Sequence, residues 1–393
     1  MMPPSADVVV VGAGIIGSAV TYYLAKHGLQ VTQVDRGDIL SGTSRACMGG
    51  VQMSTKTLGA KLALAMESMA LHRDLQDELG YDCEYRFEGS MIVAQDDAEV
   101  DYVRHRTEEY VQSGVNCSYL DGSETRFIQP ALGKQVLGSL YSPGDCAVSP
   151  LRLVLAFSRR AQEMGAQLRT YCPVTGIAVE KDRIVAVTTP QGDIATRTVV
   201  VAAGPWSAQV AHLAGVDLPI VPRKGEILVT EASARFVKGL VLTASYLLSK
   251  KMPAQWGDLD PTLLAGIVTA QEAHGQCLIG STRQFLGYDT TSSFEGVTEL
   301  MRQATRLFPA YRGLHVIRTY AGLRPAAPDG LPILERTPAL PDLVIASGHE
   351  GDAIALAPIT GLRIAQLITG QLDPAALQAF SSARFSPNIA KGV

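Results

Sequence analysis

The chain is predicted to adopt an α/β fold, a Rossmann-type βαβ framework interrupted by two β-rich insertions. Three observations predict it. The run Val8-Val9-Val10-Val11 leads directly into Gly12-Ala13-Gly14-Ile15-Ile16-Gly17, and a second apolar run, Val31-Thr32-Gln33-Val34, is closed by Asp35. Apolar strand-like runs return in the middle, Val199-Val200-Val201, and near the end, Leu343-Val344-Ile345-Ala346. Between these blocks, short β-like runs and turn residues replace the βαβ pattern.

The first block reads as buried strand, glycine-rich turn, helix, second strand and terminal carboxylate. That is the order a dinucleotide's pyrophosphate and ribose require. Gly12 permits the tight turn, Gly14 admits the pyrophosphate close to backbone, and Gly17 lets helix and strand pack. The anion rests against unpaired N–H groups at the helix start. A bare glycine triplet is also compatible with an ordinary βα turn; here its strand, helix and acidic partner accompany it.

The helix at 18–26 carries Ala19, Val20, Tyr23 and Leu24 at helical spacing, and Gly28 stops it. A longer helical stretch, 58–79, follows a loop rich in glycine and serine. The first insertion has β-like runs at 90–94 and 136–141, with a charged helix at 98–113 before the second. A helix at 151–164, closed by Gly165, leads into strands at 174–179, 184–189 and 194–201. Lys181-Asp182 and Pro190-Gln191-Gly192-Asp193 make the turns. The second insertion has strands at 226–230, 263–269, 277–281 and 314–318. After the strand at 343–346, Gly348-His349-Glu350-Gly351 precedes a helix reaching to about Thr369. The expected domains are discontinuous: 1–85, 146–222 and 323–393 bind the nucleotide, and 86–145 with 223–322 form a substrate domain.

At 393 residues the chain suits about two domains. A net charge of −4, without Lys/Arg blocks, gives no reason to expect nucleic acid or anionic membrane as a partner. No cationic segment precedes the first apolar run, so a signal peptide is not expected. Nor is a transmembrane anchor, since no uninterrupted apolar stretch reaches membrane-spanning length. The six cysteines are dispersed, with no CxxC pair and no adjacent histidine cluster. Neither structural zinc nor a disulfide framework is expected, and reduced thiols fit a cytoplasmic location. Asn116-Cys117-Ser118 matches a glycosylation sequon only formally, and there is no P-loop or HExxH.

Several further motifs, in order, resemble the D-amino-acid-oxidase and glycine-oxidase superfamily of FAD enzymes. They begin with Gly12–Gly17 and Asp35-Arg36, then the loop Ser41-Gly42-Thr43-Ser44-Arg45-Ala46-Cys47-Met48-Gly49-Gly50 and Asp145-Cys146-Ala147-Val148-Ser149-Pro150. Ala202-Ala203-Gly204-Pro205-Trp206-Ser207, Pro222-Arg223-Lys224-Gly225 and Ala321-Gly322-Leu323-Arg324-Pro325 follow. Asp329-Gly330-Leu331-Pro332 and Gly348-His349 through Pro358-Ile359-Thr360-Gly361 complete the series. The wording looks most like the β subunits of bacterial dye-linked opine, proline and D-hydroxyproline dehydrogenases and the related cyanide-forming glycine dehydrogenase.

This resemblance implies non-covalent FAD, a mainly antiparallel substrate sheet, and α and γ partner subunits of an electron-transfer complex. It implies that Gly12, Gly14, Ile15, Ile16, Gly17, Asp35 and Arg36 hold the adenosine and pyrophosphate, with Val174 gripping adenine through its backbone. Thr43 and Ser44 serve phosphates and ribityl; Cys47, Met48 and Gly49 lie beside the flavin. Ala203 and Gly204 border it, and Gly348, His349, Glu350, Gly351, Asp352, Ala353 and Ile354 bring a helix start to its pyrimidine edge. There, helix-end N–H groups stabilise negative charge. The family usually has glycine where Ala353 stands.

Arg324 is the expected substrate residue, because a planar guanidinium donates two parallel hydrogen bonds to a carboxylate. Pro325 favours an extended backbone at Arg324. The alternative is a surface or interdomain salt bridge. Cys47 reads either as a nucleophile or as a packed thiol, and His349 either as a base or as a residue fixing local backbone. The relatives' second carboxylate-binding residue, a tyrosine, aligns near Val268; Tyr246, Tyr288 and Tyr320 are the available substitutes. The implied reaction oxidises the C–N bond of an amino acid, secondary amine or opine to an imine, with no obligatory side-chain base. A peroxide-forming oxidase and a flavin-carrying relay subunit without turnover are the alternatives.

Overall fold

The computed structural model describes residues 5–248 and 263–385. Residues 1–4 and 386–393 of the expected nucleotide-binding segments, and 249–262 of the expected substrate domain, lie outside the described residues. One sheet has six strands, in the order Ile333–Arg336, Leu343–Ser347, Val199–Val201, Val8–Val11, Val31–Val34 and Gln167–Arg169. All neighbours are parallel except the first pair. The valine runs are apolar throughout because both faces of such a sheet are covered.

On one face the helix Ile15–Lys26 packs against the helix Ala353–Ile368. Gly361 makes that contact close: a Cβ there would lie 2.8 Å from the Ala19 carbonyl oxygen. The stretch Glu350–Ile368 is long and apolar enough, by length and composition, to cross a membrane. Glu350, Asp352 and Arg363 interrupt it, so it is not the uninterrupted apolar stretch that a span was expected to need, and 67% of its most apolar window is buried inside the fold as a core helix.

The second sheet has eight strands, in the order Val316–Ala326, Val221–Thr230, Cys277–Arg283, Leu264–Gln271, Leu240–Thr243, Ser90–Ala94, Gly138–Ser142 and Ser118–Asp121. It is antiparallel except where Leu240–Thr243 runs beside Ser90–Ala94. The amphipathic helix Phe294–Leu307 covers part of it.

Two strand expectations need correction. The strand expected at 194–201 is two strands in different sheets. Ile194–Ala195 joins a three-stranded antiparallel sheet, and Val199–Val201 joins the parallel one. Thr196 breaks the run, its hydroxyl oxygen accepting the Thr198 N–H at 3.3 Å. The strands expected at 226–230 and 314–318 are Val221–Thr230 and Val316–Ala326. Their added residues include Arg223, Lys224 and Arg324, whose charges hid the strand pattern. Paired antiparallel, these strands set Arg223 directly opposite Arg324.

Candidate active site

The glycine turn is fixed by contacts that exclude side chains. Gly12 has φ +118°, and a Cβ on it would lie 2.4 Å from the Ala202 carbonyl oxygen. A Cβ on Gly17 would lie 1.9 Å from the Gly12 oxygen. The Ile15 N–H at the helix start donates to the Ser44 hydroxyl at 2.9 Å, tying the second loop to the first. Asp35 accepts the N–H of Ala13 at 2.7 Å and of Gly37 at 2.8 Å. Arg36 stacks over Trp206, Cζ 4.1 Å from the ring centroid.

From this turn a cavity of about 430 Å³ runs to the second sheet. Val174, Gln209 and Leu213 line its nucleotide end, Ala203 and Gly204 its middle, and Tyr246, Ser281 and Arg324 its far end. An open glycine turn, a helix start and an elongated groove fit FAD, and Gly12–Ile16 and Ser44 are the residues that would hold its pyrophosphate.

The loop after Gly42 is held from both sides. The Thr43 hydroxyl donates to the Leu323 carbonyl, beside Arg324, at 2.5 Å. Gly49 has φ +71°, where a Cβ would lie 1.9 Å from the Val148 oxygen. Gly50–Val51 pairs with Cys146–Ala147. Buried Asp145 accepts from the Met53 N–H and the Ser54 and Ser90 hydroxyls, so the Asp145–Pro150 motif fastens this loop to the second sheet. The Cys47 thiol donates to the Ser44 carbonyl at 3.1 Å, and burial pushes its pKa up to about 12. It is an uncharged thiol.

Before the terminal helix, Gly348 and Glu350 both have positive φ, +78° and +52°. For a glutamate that backbone costs on the order of 1 kcal/mol and places the residue on the cavity wall. Asp352 accepts from Lys56 at 2.8 Å and Lys61 at 2.5 Å. These two buried cations tie the turn before the terminal helix to the loop and helix at 56–61, close to the helix N–H groups. His349 is fully buried, its Nε2 3.0 Å from the Thr360 hydroxyl. Burial and then Lys61 lower its pKa to about 3. It is neutral and braces the helix.

Arg324 lies across Gly225, where a Cβ would approach its terminal nitrogens to 2.3 Å. It donates to the Ser281 hydroxyl at 2.5 Å and to the Thr282 and Lys224 carbonyls at 3.3 and 3.4 Å. Its Nε is 3.9 Å from Glu350, and Arg223 reaches the same carboxylate oxygen at 3.7 Å. Burial, then the neighbouring Arg283, lowers the pKa of Arg324. Arg283 stacks on Tyr246, Cζ 4.5 Å from the ring centroid. Of the three substitute tyrosines, Tyr246 is on the cavity wall, as is Val268. Tyr288 instead stacks on Trp206.

The expected site residues thus meet around one cavity, except that Gly17 and Gly348 lie just off its wall. Gln52, Thr55, Lys56 and Ser281 line it without having been anticipated, and Arg223 and Arg283 stand beside it. Gln52, Thr55, Lys56, Ser281 and Arg283 belong to no motif read from the sequence, whereas Arg223 does, and its place opposite Arg324 comes from strand register.

A family model described as DAO, FAD dependent oxidoreductase, matches residues 7–367. The hydrogen cyanide synthase subunit HcnC of Pseudomonas aeruginosa is 30% identical over 98% of this chain and 97% of its own. The glycine oxidase of Geobacillus kaustophilus is also 30% identical, covering 96% of this chain and 97% of that protein. Its crystal structure superposes with a TM-score of 0.88 at 28% identity, over 98% of this chain and all of that one. L-proline dehydrogenase from P. horikoshii superposes with a TM-score of 0.86 at 28% identity, over 98% of both chains. Sequence motifs, fold and cavity agree, and the chain belongs to the DAO family of FAD-dependent oxidoreductases.

Proposed function

We propose that this flavoenzyme oxidises the C–N bond of an amino acid or secondary amine of the D-proline, 4-hydroxy-D-proline or opine type. We further propose that it does so as the catalytic β subunit of a cytoplasmic dehydrogenase complex. The observation that carries the reading is Arg324: a largely buried guanidinium on the wall of the cavity whose opposite end is the dinucleotide turn. FAD, when bound, supplies the hydride acceptor at N5. Arg324 holds the substrate carboxylate, Tyr246 closes the same wall, and Val268 leaves space where the relatives have a tyrosine. The positive field at the start of Ala353–Ile368, with Lys56 beside it, favours negative charge near the pyrimidine edge. No side-chain base is assigned, because Cys47 is an uncharged thiol and His349 is neutral and engaged. The HcnC relative, itself named a subunit, supports the complex.

The glycine oxidase relatives favour a second reading, a stand-alone oxidase forming peroxide. Anaerobic mixing of the purified yellow protein with D-proline, 4-hydroxy-D-proline, opines, sarcosine and glycine tests the first. Bleaching by an amine, without partner subunits, is expected. A flavin that no amine bleaches would make the chain a relay subunit. Stoichiometric peroxide in air would select the oxidase.

A further inference from the structure

Of the cavity-wall residues that belong to no motif, Gln52 is the one with a buried polar atom left over. Ser281 accepts from Arg324, and Lys56 donates to Thr55 and Asp352. Gln52 is 7% exposed, and its Nε2 has no hydrogen-bond partner among the described residues. An amide N–H buried without an acceptor is costly, so one on a cavity wall is placed for an acceptor that arrives with a ligand. Gly50 sets where the amide lies. A Cβ there would stand 3.1 Å from the Gln52 Oε1 and 3.3 Å from the Leu240 Cδ2. The missing side chain thus leaves the amide room beside Leu240.

Between Gln52 and Arg324 the wall is apolar. Leu242, Val268, Gly280 and Ile227 pair in register across four neighbouring strands, and Leu242, Val268 and Ile227 line the cavity with Leu240. Arg324 lies across Gly225 and on Ser281 at one side of this row, and Leu240, with Gln52, is at the other. The strands carrying Ser281 and Leu240 are two apart, about 10 Å at roughly 4.8 Å per spacing. We propose that Gln52 is a specificity-determining residue. With the substrate carboxylate on Arg324, its amide donates to a neutral polar substituent, a hydroxyl or amide oxygen, at the substrate's other end. The proposal rests on the amine-oxidising reading above and adds the residue that selects among such substrates.

The substituent is neutral because Gln52, Leu240, Leu242 and Val268 offer it no opposite charge, and Lys56, four residues on, is already paired with Asp352. An apolar substituent is rejected for another reason, since the buried N–H then stays unpaired. The hydrogen bond forms on binding and does not change as the C–N bond is oxidised. Its loss therefore raises KM and leaves kcat nearly constant. A residue that held the flavin instead would alter the flavin spectrum with every substrate alike.

The test uses pairs that differ in one polar group: cis-4-hydroxy-D-proline against D-proline, and D-glutamine against D-methionine. Anaerobic flavin reduction by the holoenzyme gives kcat and KM for each. In wild type the polar member of at least one pair should lead in kcat/KM by about 10-fold or more, the scale of one unpaired buried hydrogen-bonding group. In Gln52→Leu, of similar volume, that ratio should fall to within about twofold, through KM, with the flavin spectrum unchanged. Gln52→Met takes its place if the leucine variant does not fold. No polar preference in either pair in wild type would overturn the proposal without any variant. So would a preference that survives the substitution, or an altered flavin spectrum with the ratio kept, which would assign Gln52 to the cofactor. Activity confined to glycine, sarcosine or a dicarboxylate opine would also overturn it, because none of these offers a neutral polar group. Absence of reduction by every amine would instead overturn the amine-oxidising reading itself.

Discussion

The two ends of the cavity are built by different means. The nucleotide end is made of backbone: Gly12, Gly14 and Gly17 are useful for lacking a side chain, and consecutive residues form the whole turn. The far end is made of side chains: Tyr246, Arg324 and Glu350 line it and Arg223 and Arg283 stand beside it, brought from separate strands, a helix and a turn. A backbone site tolerates almost no substitution, because a neighbour's carbonyl occupies the space. A side-chain site tolerates substitution structurally and loses only the interaction removed. The first end should therefore break by unfolding or losing cofactor, and the second by losing substrate while keeping its colour.

The largest effect is expected at Gly17. Its Cβ position lies 1.9 Å from the Gly12 carbonyl oxygen, so Gly17→Val must push helix and strand apart. A loss of more than about 4 kcal/mol of stability and a colourless protein are expected. Thermal melting and the ratio of flavin to protein absorbance report both. A yellow Gly17→Val protein with wild-type stability would remove the contrast between the ends. Next comes Arg324→Ala, which should keep the flavin spectrum while kcat/KM for carboxylate substrates falls by about 2–5 kcal/mol. Arg324→Lys should recover only part, because an ammonium cannot donate the same planar pair. Loss of flavin from Arg324→Ala would show that the two ends are not separable.

The same contrast explains what could be read from the chain. Val8–Val11, the glycine turn, Val31–Val34 and Asp35 lie close together in the chain, so periodicity and spacing sufficed to find the strands and the glycine turn between them. Arg324 was reached through its motif and through Pro325, although its strand was expected to end six residues earlier, at 318. Arg223 sat inside a resemblance motif without a role, and Arg283 had no local signal at all. Their meaning comes from register: Val221–Thr230 must pair with Val316–Ala326, and Cys277–Arg283 must lie beside them. Charged residues in strands buried by tertiary contact defeat a pattern rule that expects apolar alternation. The split of 194–201 has the same origin, since Thr196 turns a chain whose β-like run continues past it.

A smaller effect sharpens the comparison at the joint between the two ends. His72 and His349 both brace the terminal helix, His72 through the Ala355 carbonyl and His349 through Thr360. Burial, in each case the largest cause, lowers their pKa values to about 4 and about 3. Below the ordinary histidine value near pH 6.5, the unfolded chain takes up protons that the folded chain refuses. Stability is therefore full above about pH 6.5 and falls as pH drops toward 4, by up to ~1.4 kcal/mol per pH unit for each histidine. Urea unfolding of the holoenzyme between pH 7.5 and 5 measures the slope. His72→Gln with His349→Gln should flatten it, and an unchanged slope would assign the acid sensitivity elsewhere.

The smallest effect is expected at Cys47, the residue that most resembles a chemical participant by position. It lines the cavity between Ala46 and Met48, yet its thiol donates to the Ser44 carbonyl and burial holds its pKa near 12. A thiol so far from ionising is a poor nucleophile at neutral pH, because attack requires the thiolate. Cys47→Ser preserves the donor and nearly the volume. Flavin reduction should stay within about twofold of wild type, a difference near 0.4 kcal/mol. A hundredfold loss, with the flavin spectrum intact, would mean that the loop beside the cofactor also contributes a reacting side chain. The division into a backbone-built end and an arginine-built end would then no longer describe the site.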